Sequence, residues 1–291
     1  MIMNVKKPNM DTNVVKDFGS EWSRFDQAGL SDADRTEVFE NYFHIFPWGW
    51  LPQGSIGADI GCGSGRWASL VAPRVGHIHL VDPSGDALAV ARQNLSNVQN
   101  ISFHHTSVDN LPFEDESLDF AYSLGVLHHV PDTAGAIGSI AHALKPGASF
   151  LIYLYYAFDH RPWWFRAIWR VSDVLRKLIS RMPAQMKNFA CECMALFAYL
   201  PLARTALLLE KFGILPPSWP LAYYRNREYY VMRTDALDRF GTRLEKRFTC
   251  KEIEAMLRSC GFTNIRFSDK QPFWCAVGTK QTCKDTNSCA V

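Results

Sequence analysis

Several features that usually announce a protein's business are missing from this sequence. Its eight cysteines, at 62, 191, 193, 250, 260, 275, 283 and 289, include no CxxC pair. That excludes a zinc knuckle and a thioredoxin-type redox site, and no metal site is expected. Cys191 and Cys193, two apart, point in different directions on a helix and are expected as packed, reduced thiols. Charge of one sign is scarce: 31 Lys and Arg face 29 Asp and Glu, too even a balance to draw nucleic acid by bulk electrostatics. The polar stretch Met1–Met10 lacks the apolar centre of a secretory signal, so a cytoplasmic chain is expected. Long apolar runs are absent too. The richest stretch, Phe189–Leu209, is broken by Glu192, Pro201 and Arg204, and its best run, Cys193–Ala203, falls short of the roughly 20 residues that span a bilayer. A buried or interfacial helix is expected there. No repeat or low-complexity tract occurs. What remains is a globular composition over 291 residues, enough for one large domain with a sizeable insertion.

The segment 1–53 reads as a helical cap. Ser31-Asp32-Ala33-Asp34 looks like a helix start, and Val38, Phe39, Tyr42, Phe43 and Phe46 recur at helical spacing until Pro47, a stripe suited to core packing and to closing a pocket. From 54 to 156 short apolar runs alternate with helical patterns, which is how a parallel α/β sheet is written. Strands are expected near 56–60, 77–82, 101–105, 118–123 and 149–155. Helices fall near 64–73, 84–95, with Ser84 as its cap, and 133–144, ended by Lys145-Pro146-Gly147. The rhythm breaks over 157–245, which is rich in Trp, Tyr and Arg and reads as a helical lid. It resumes over 246–280: Thr249 and Glu252 form a capping box with Phe248 and Ile253 as its hydrophobic staple, Gly261 caps the helix, and strands follow near 263–268 and 273–279. The tail, 281–291, is polar.

The chemistry centres on Gly57-Ala58-Asp59-Ile60-Gly61-Cys62-Gly63-Ser64-Gly65, directly after an apolar run and before a helix. Glycines there let the backbone turn tightly against a ligand, and the following helix N-terminus offers amides to a carboxylate or a phosphate. Asp82 closes the next strand, where an acid can grip ribose hydroxyls. Dinucleotide sites favour G-x-G-x-x-G. Here the spacing is G-x-G-x-G, and the acid at 59 repels phosphate but suits an amino group. Adenosine joined to an amino-acid tail describes S-adenosylmethionine.

Residues 56–156 resemble the class I S-adenosylmethionine-dependent methyltransferases, of the broad group that includes the ubiquinone/menaquinone-biosynthesis methyltransferases. The resemblance rests on Ala58–Arg66, Val81-Asp82-Pro83-Ser84, Asp109–Phe113, Asp119–Ser123 running through Leu127–Asp132, and Leu144–Gly147. It implies a Rossmann-like, seven-stranded, mostly parallel sheet of order 3-2-1-4-5-7-6, with the helical insertion after strand 5. It places Gly61, Cys62, Gly63 and Gly65 along the methionine part, Asp59 near its amino group, and Asp82 with Pro83 at the ribose. Asp109 would approach the adenine amino group, with Ser107 and Val108 beside the ring, and Ser123 and Leu124 would border the sulfonium.

His128 and His129 follow the fourth strand, where a neutral imidazole could take a proton from a hydroxyl or amine nucleophile. Tyr156, Asp159 and His160 lie where a fifth-strand loop would reach an acceptor. In the insertion, Arg166, Arg170, Lys177 and Arg181 recur on a Trp-rich helix at 162–181, suited to capping the site or to peripheral contact with a membrane surface. Either enclosure implies a small lipophilic or aromatic acceptor, with the O, C, N or S atom open. The fourth strand ends Ser123-Leu124-Gly125-Val126, without the Asn/Asp-Pro-Pro-aromatic motif of base-amino methyltransferases. A nucleic-acid or other macromolecular acceptor is therefore the lesser alternative. A dinucleotide oxidoreductase and a non-catalytic cofactor sensor are further ones.

Overall fold

The protein was described from a computed structural model covering residues 8–24, 32–159 and 161–282. His160, the tail beyond 282 and the capping residue Ser31 lie outside the described residues. The elements run α1 (Thr12–Arg24), α2 (Asp32–Phe43), β1 (Ile56–Ile60), α3 (Ala68–Val71), β2 (His77–Asp82), α4 (Gly85–Asn94), β3 (Ile101–His105), β4 (Leu118–Leu124), α5 (Thr133–Ala143) and β5 (Leu144–Tyr153). There follow α6 (Trp163–Ile179), α7 (Ala184–Met194), α8 (Leu200–Lys211), α9 (Tyr229–Gly241), α10 (Cys250–Ser259), β6 (Phe262–Phe267) and β7 (Cys275–Lys280). By internal contacts the chain divides into an α/β unit holding the sheet and a helical unit over Phe158–Arg243.

One seven-stranded sheet has the order β3-β2-β1-β4-β5-β7-β6. It is parallel except for β7, which runs antiparallel to β5 and to β6. Because side chains alternate along a strand, each buried strand feeds two cores. Ala121 of β4 and Phe150 and Ile152 of β5 face the cluster that includes Ile140, Ile253 and Leu257 of α5 and α10. Phe120 and Tyr122, with Leu151, face the opposite cluster around Phe39, Phe43 and Trp67. The apolar stripe of α2 is therefore core: Phe43 meets Tyr122 at 5.2 Å and Phe46 meets Phe120 at 5.9 Å.

Local signals fall where the sequence places them. Ser84 accepts from the Ala87 amide at 3.2 Å, the Thr249–Glu252 capping box is complete, and Gly261 has φ +81°. Three boundaries differ. The helix expected over 64–73 is only α3 plus a 3-10 turn at Ala72–Arg74, because 61–67 are spent on the glycine turn. Lys145-Pro146-Gly147 belongs to β5 rather than to a helix cap, with Lys145 bound to Asp119 at 2.7 Å. Across the apolar stretch, α7, a π turn (Ala195–Tyr199) and α8 form one uninterrupted rod, Ala184–Lys211. Pro201 follows closely on the π turn, where the regular i→i−4 ladder is already interrupted, so its missing N–H does not end the rod. By length and composition this rod could cross a membrane; only 22% of its most apolar window is buried, so of the two expectations, a buried or an interfacial helix, it does not match the first.

Candidate active site

The glycine turn and Asp82 meet at the carboxyl ends of β1 and β2, beside the point where strand order reverses between β1 and β4. That is where open α/β sheets take ligands. Gly61, Gly63 and Gly65 have φ of +80°, +53° and +74°, a region other residues enter only with strain. The Asp82 carboxylate ties the turn to the next element: Oδ2 accepts from the Gly63 amide at 3.0 Å and Oδ1 from the Ser84 amide at 2.8 Å. Gly61 and Cys62 donate to the Val81 carbonyl, and Gly65 donates to Cys62. With α3 only four residues long, the helix-terminus amides expected from the sequence are not the feature that shapes the turn. Its shape comes from missing Cβ atoms.

Asp59, near the end of β1, is 1% exposed, and its Oδ2 has no well-formed hydrogen bond among the described residues. Burial pushes its carboxyl up to about 8; the Tyr122 hydroxyl pulls the other way, the Asp82 charge adds to the rise, and Arg66 offsets part of it. Asp82 is itself pushed up to about 6 by burial, against the pull of the Ser84 and Gly63 amides. Cys62 is buried, its thiol held well above the usual range first by burial and then by the two acids. Pro83 follows Asp82, and its carbonyl accepts from His105 Nε2 at 3.0 Å.

At the end of β3, Ser107 donates to Asp109 Oδ1 at 2.7 Å, and Val108 is buried beside them. At the end of β4, Ser123 donates to the Ile60 carbonyl at 2.8 Å, so its hydroxyl is committed to tying β4 to β1. Leu124 packs into the second core cluster.

Beyond β4 lies a column of ring side chains in contact, drawn from distant parts of the α/β unit. Phe18 of α1 meets His129 at 4.9 Å, His129 meets His128 at 4.0 Å, and His128 stacks on Tyr155 at 3.9 Å. Arg247 lies over the far face of the column, 5.1 Å from the Tyr155 ring, and is paired with Glu245 at 2.7 Å. His128 is fully buried, with neither ring nitrogen hydrogen-bonded among the described residues. Burial, then His129 and Arg247, hold its pKa well below the usual imidazole value, so the ring is neutral. His129 Nδ1 lies 2.6 Å from the Leu244 carbonyl. A carbonyl can only accept, so Nδ1 carries the proton and Nε2 carries the lone pair. Tyr156 is not in the column. Its ring sits 5.9 Å from Phe273 and 6.4 Å from Trp274, and Tyr155, one residue earlier, is the tyrosine on His128.

The sequence reading missed α1 altogether. Gly19 approaches so closely that an added Cβ would lie 2.6 Å from Ser84 Oγ, and a Cβ on Gly63 would lie 2.8 Å from the Trp22 ring. So α1, not α2, covers the glycine turn and the start of α4. The signal was present as Val14, Val15, Phe18 and Trp22 at helical spacing.

Comparison with known proteins agrees with this geometry. Residues 58–152 match the family model described as "Methyltransferase domain". Phosphoethanolamine N-methyltransferase 2 of Caenorhabditis elegans is 36% identical over 119 residues, covering 40% of this chain and 27% of that protein. A demethylmenaquinone methyltransferase of Staphylococcus epidermidis is 32% identical over 100 residues, covering 33% of this chain and 42% of that one. This chain thus spans less than half the length of either relative. In fold it resembles a chain of the solved complex formed around the Haloferax volcanii Trm112 methyltransferase activator, with TM-score 0.50 and 15% identity, covering 91% of this chain and 98% of that one.

Proposed function

We propose that this chain, whose residues 58–152 belong to the methyltransferase-domain family, transfers a methyl group from S-adenosylmethionine to a small lipophilic or aromatic molecule. The observation that carries the reading is the Asp82 carboxylate bridging the Gly63 and Ser84 amides at the strand-order reversal. Asp59 fits the donor independently: a buried carboxyl whose Oδ2 lacks a hydrogen bond among the described residues is a natural seat for an ammonium group. Asp59 would hold the amino group of the methionine part, the turn Gly61–Gly65 would admit its chain, and Asp82 would accept from the ribose hydroxyls. The Ser107–Asp109 loop would border the adenine.

When bound, S-adenosylmethionine supplies an already electrophilic methyl group, so the protein's task is to align a nucleophile and remove its proton. His129 is the group for that proton. Its Nδ1–H is anchored on the Leu244 carbonyl, which leaves Nε2 as the basic nitrogen. The neutral His128, pressed on Tyr155, would position the acceptor and keep charge out of the site. Asp159 and His160, which follow β5 in sequence, are secondary polar candidates.

Incubation with methyl-labelled S-adenosylmethionine and fractionated cell extract tests the reading. Label is expected in the organic-soluble small-molecule fraction. Label confined to RNA or protein, or none transferred, would contradict it.

A further inference from the structure

The unit formed by Phe158–Arg243 exposes apolar surface on a scale the α/β unit does not. Of the fifteen large apolar side chains exposed among the described residues, thirteen lie in it. They are ordered rather than scattered. Around α6, at about 3.6 residues per turn, three arcs follow one another. The first is turned inward: Phe165 and Trp169 meet Phe158 at 5.3 and 5.8 Å, and Arg176 donates to the Thr242 and Arg243 carbonyls. The second runs through Trp163, Val174, Leu178, Val171, Leu175 and Ile168 over about 140°, every one exposed. The third, about 40° wide and next to Trp163, carries Arg166, Lys177 and Arg170, also exposed.

The rod of α7, π turn and α8 repeats the pattern without sharing residues. Cys191, Ala195, Tyr199, Ala203 and Ala206 are buried, while Phe189 and Phe197 on the other side are 72% and 74% exposed. A polar solvated face does not present two phenylalanines and a tryptophan to water. An exposed apolar arc edged by a strip of Arg and Lys is the form taken by helices lying in a bilayer interface, where the apolar side enters the acyl boundary and the cations meet lipid phosphates.

We infer that the outward faces of α6 and of the α7–α8 rod form a docking surface for an anionic lipid bilayer, on which this unit lies without crossing it. Lying is favoured over spanning because the rod is fastened on one side. Glu192 makes a bidentate ion pair with Arg233 of α9, with oxygens 2.7 and 2.9 Å from its nitrogens. A crossing would strip the rod from α9 and carry that pair into hydrocarbon.

Flotation of the full chain with vesicles tests the inference. The native protein is expected to float with phosphatidylglycerol–phosphatidylcholine vesicles and to be released by alkaline carbonate. The variant R166E/R170E should bind anionic vesicles at least about tenfold more weakly. V171D/V174D and F189D/F197D should lose binding while keeping native circular dichroism. Absence of native binding, binding indifferent to these substitutions, retention after carbonate, or burial of the same faces in a dimer seen by light scattering would each overturn it. None of these readouts depends on methyl transfer, so its failure would leave the proposed reaction standing.

Discussion

His129→Gln is expected to lower kcat by about 100- to 1,000-fold while S-adenosylmethionine affinity stays unchanged. The split follows from position. His129 belongs to the column with His128, Tyr155 and Phe18 beyond β4, whereas Asp82 closes β2. Glutamine preserves a donor toward the Leu244 carbonyl but has no basic nitrogen, so orientation survives and proton removal does not. An unchanged kcat would show that the nucleophile reaches the site already deprotonated or without a proton to lose. Equal loss of S-adenosylmethionine binding would show that the column merely supports the fold.

Asp59→Asn is expected to stabilise the protein without ligand and to weaken S-adenosylmethionine binding by roughly 10- to 100-fold. The carboxyl titrates near its ordinary value of 3.8 when unfolded and at about 8 when folded. Below 3.8 both states hold the proton, and the folded state suffers nothing. As pH rises from 3.8 toward 8, the unfolded chain releases the proton and the buried carboxyl does not, so stability is lost progressively across that window. The full difference is on the order of several kcal/mol, and asparagine removes it. The variant should therefore melt several degrees higher than the native protein at pH 8, with the gap closing toward pH 4. Binding has the complementary signature. An ammonium beside Asp59 favours the carboxylate, so near pH 7 the native protein should release a proton on binding, and its affinity should fall as pH drops below about 8. Scanning calorimetry over pH, with titrations in two buffers of different ionisation enthalpy, reads both. A less stable variant, or pH-independent binding, would contradict the assignment.

The strands were legible because each is a short apolar run closed by a glycine turn, an acid or a cap: β1, β2 and β3 fall on the expected residues. So were Asp82 and the glycine turn, whose meeting is encoded locally by one strand, one turn and the next strand. The column behind His128 was not. Phe18, Tyr155 and Arg247 come from positions about 90 or more residues apart, and only the folded sheet brings them together. Tyr155 rather than Tyr156 meets His128, a difference of one residue, which along an extended chain reverses the facing side chain. The rod at Ala184–Lys211 was legible as a helix but not in its length, because Glu192, Pro201 and Arg204 interrupt the apolar run without ending the helix. The α1 cover was overlooked because its four apolar residues sit among polar ones, and what makes them functional is a partner 41 residues on, Gly63, that has no side chain to betray the contact.

Calorimetric titration of the full chain with S-adenosylmethionine, native and Asp82→Ala, tests the account at its centre. One saturable site in the native protein, weakened at least about 100-fold in the variant by loss of charge-assisted hydrogen bonds, is the predicted result. No binding by the native protein, or equal binding by the two, would contradict it.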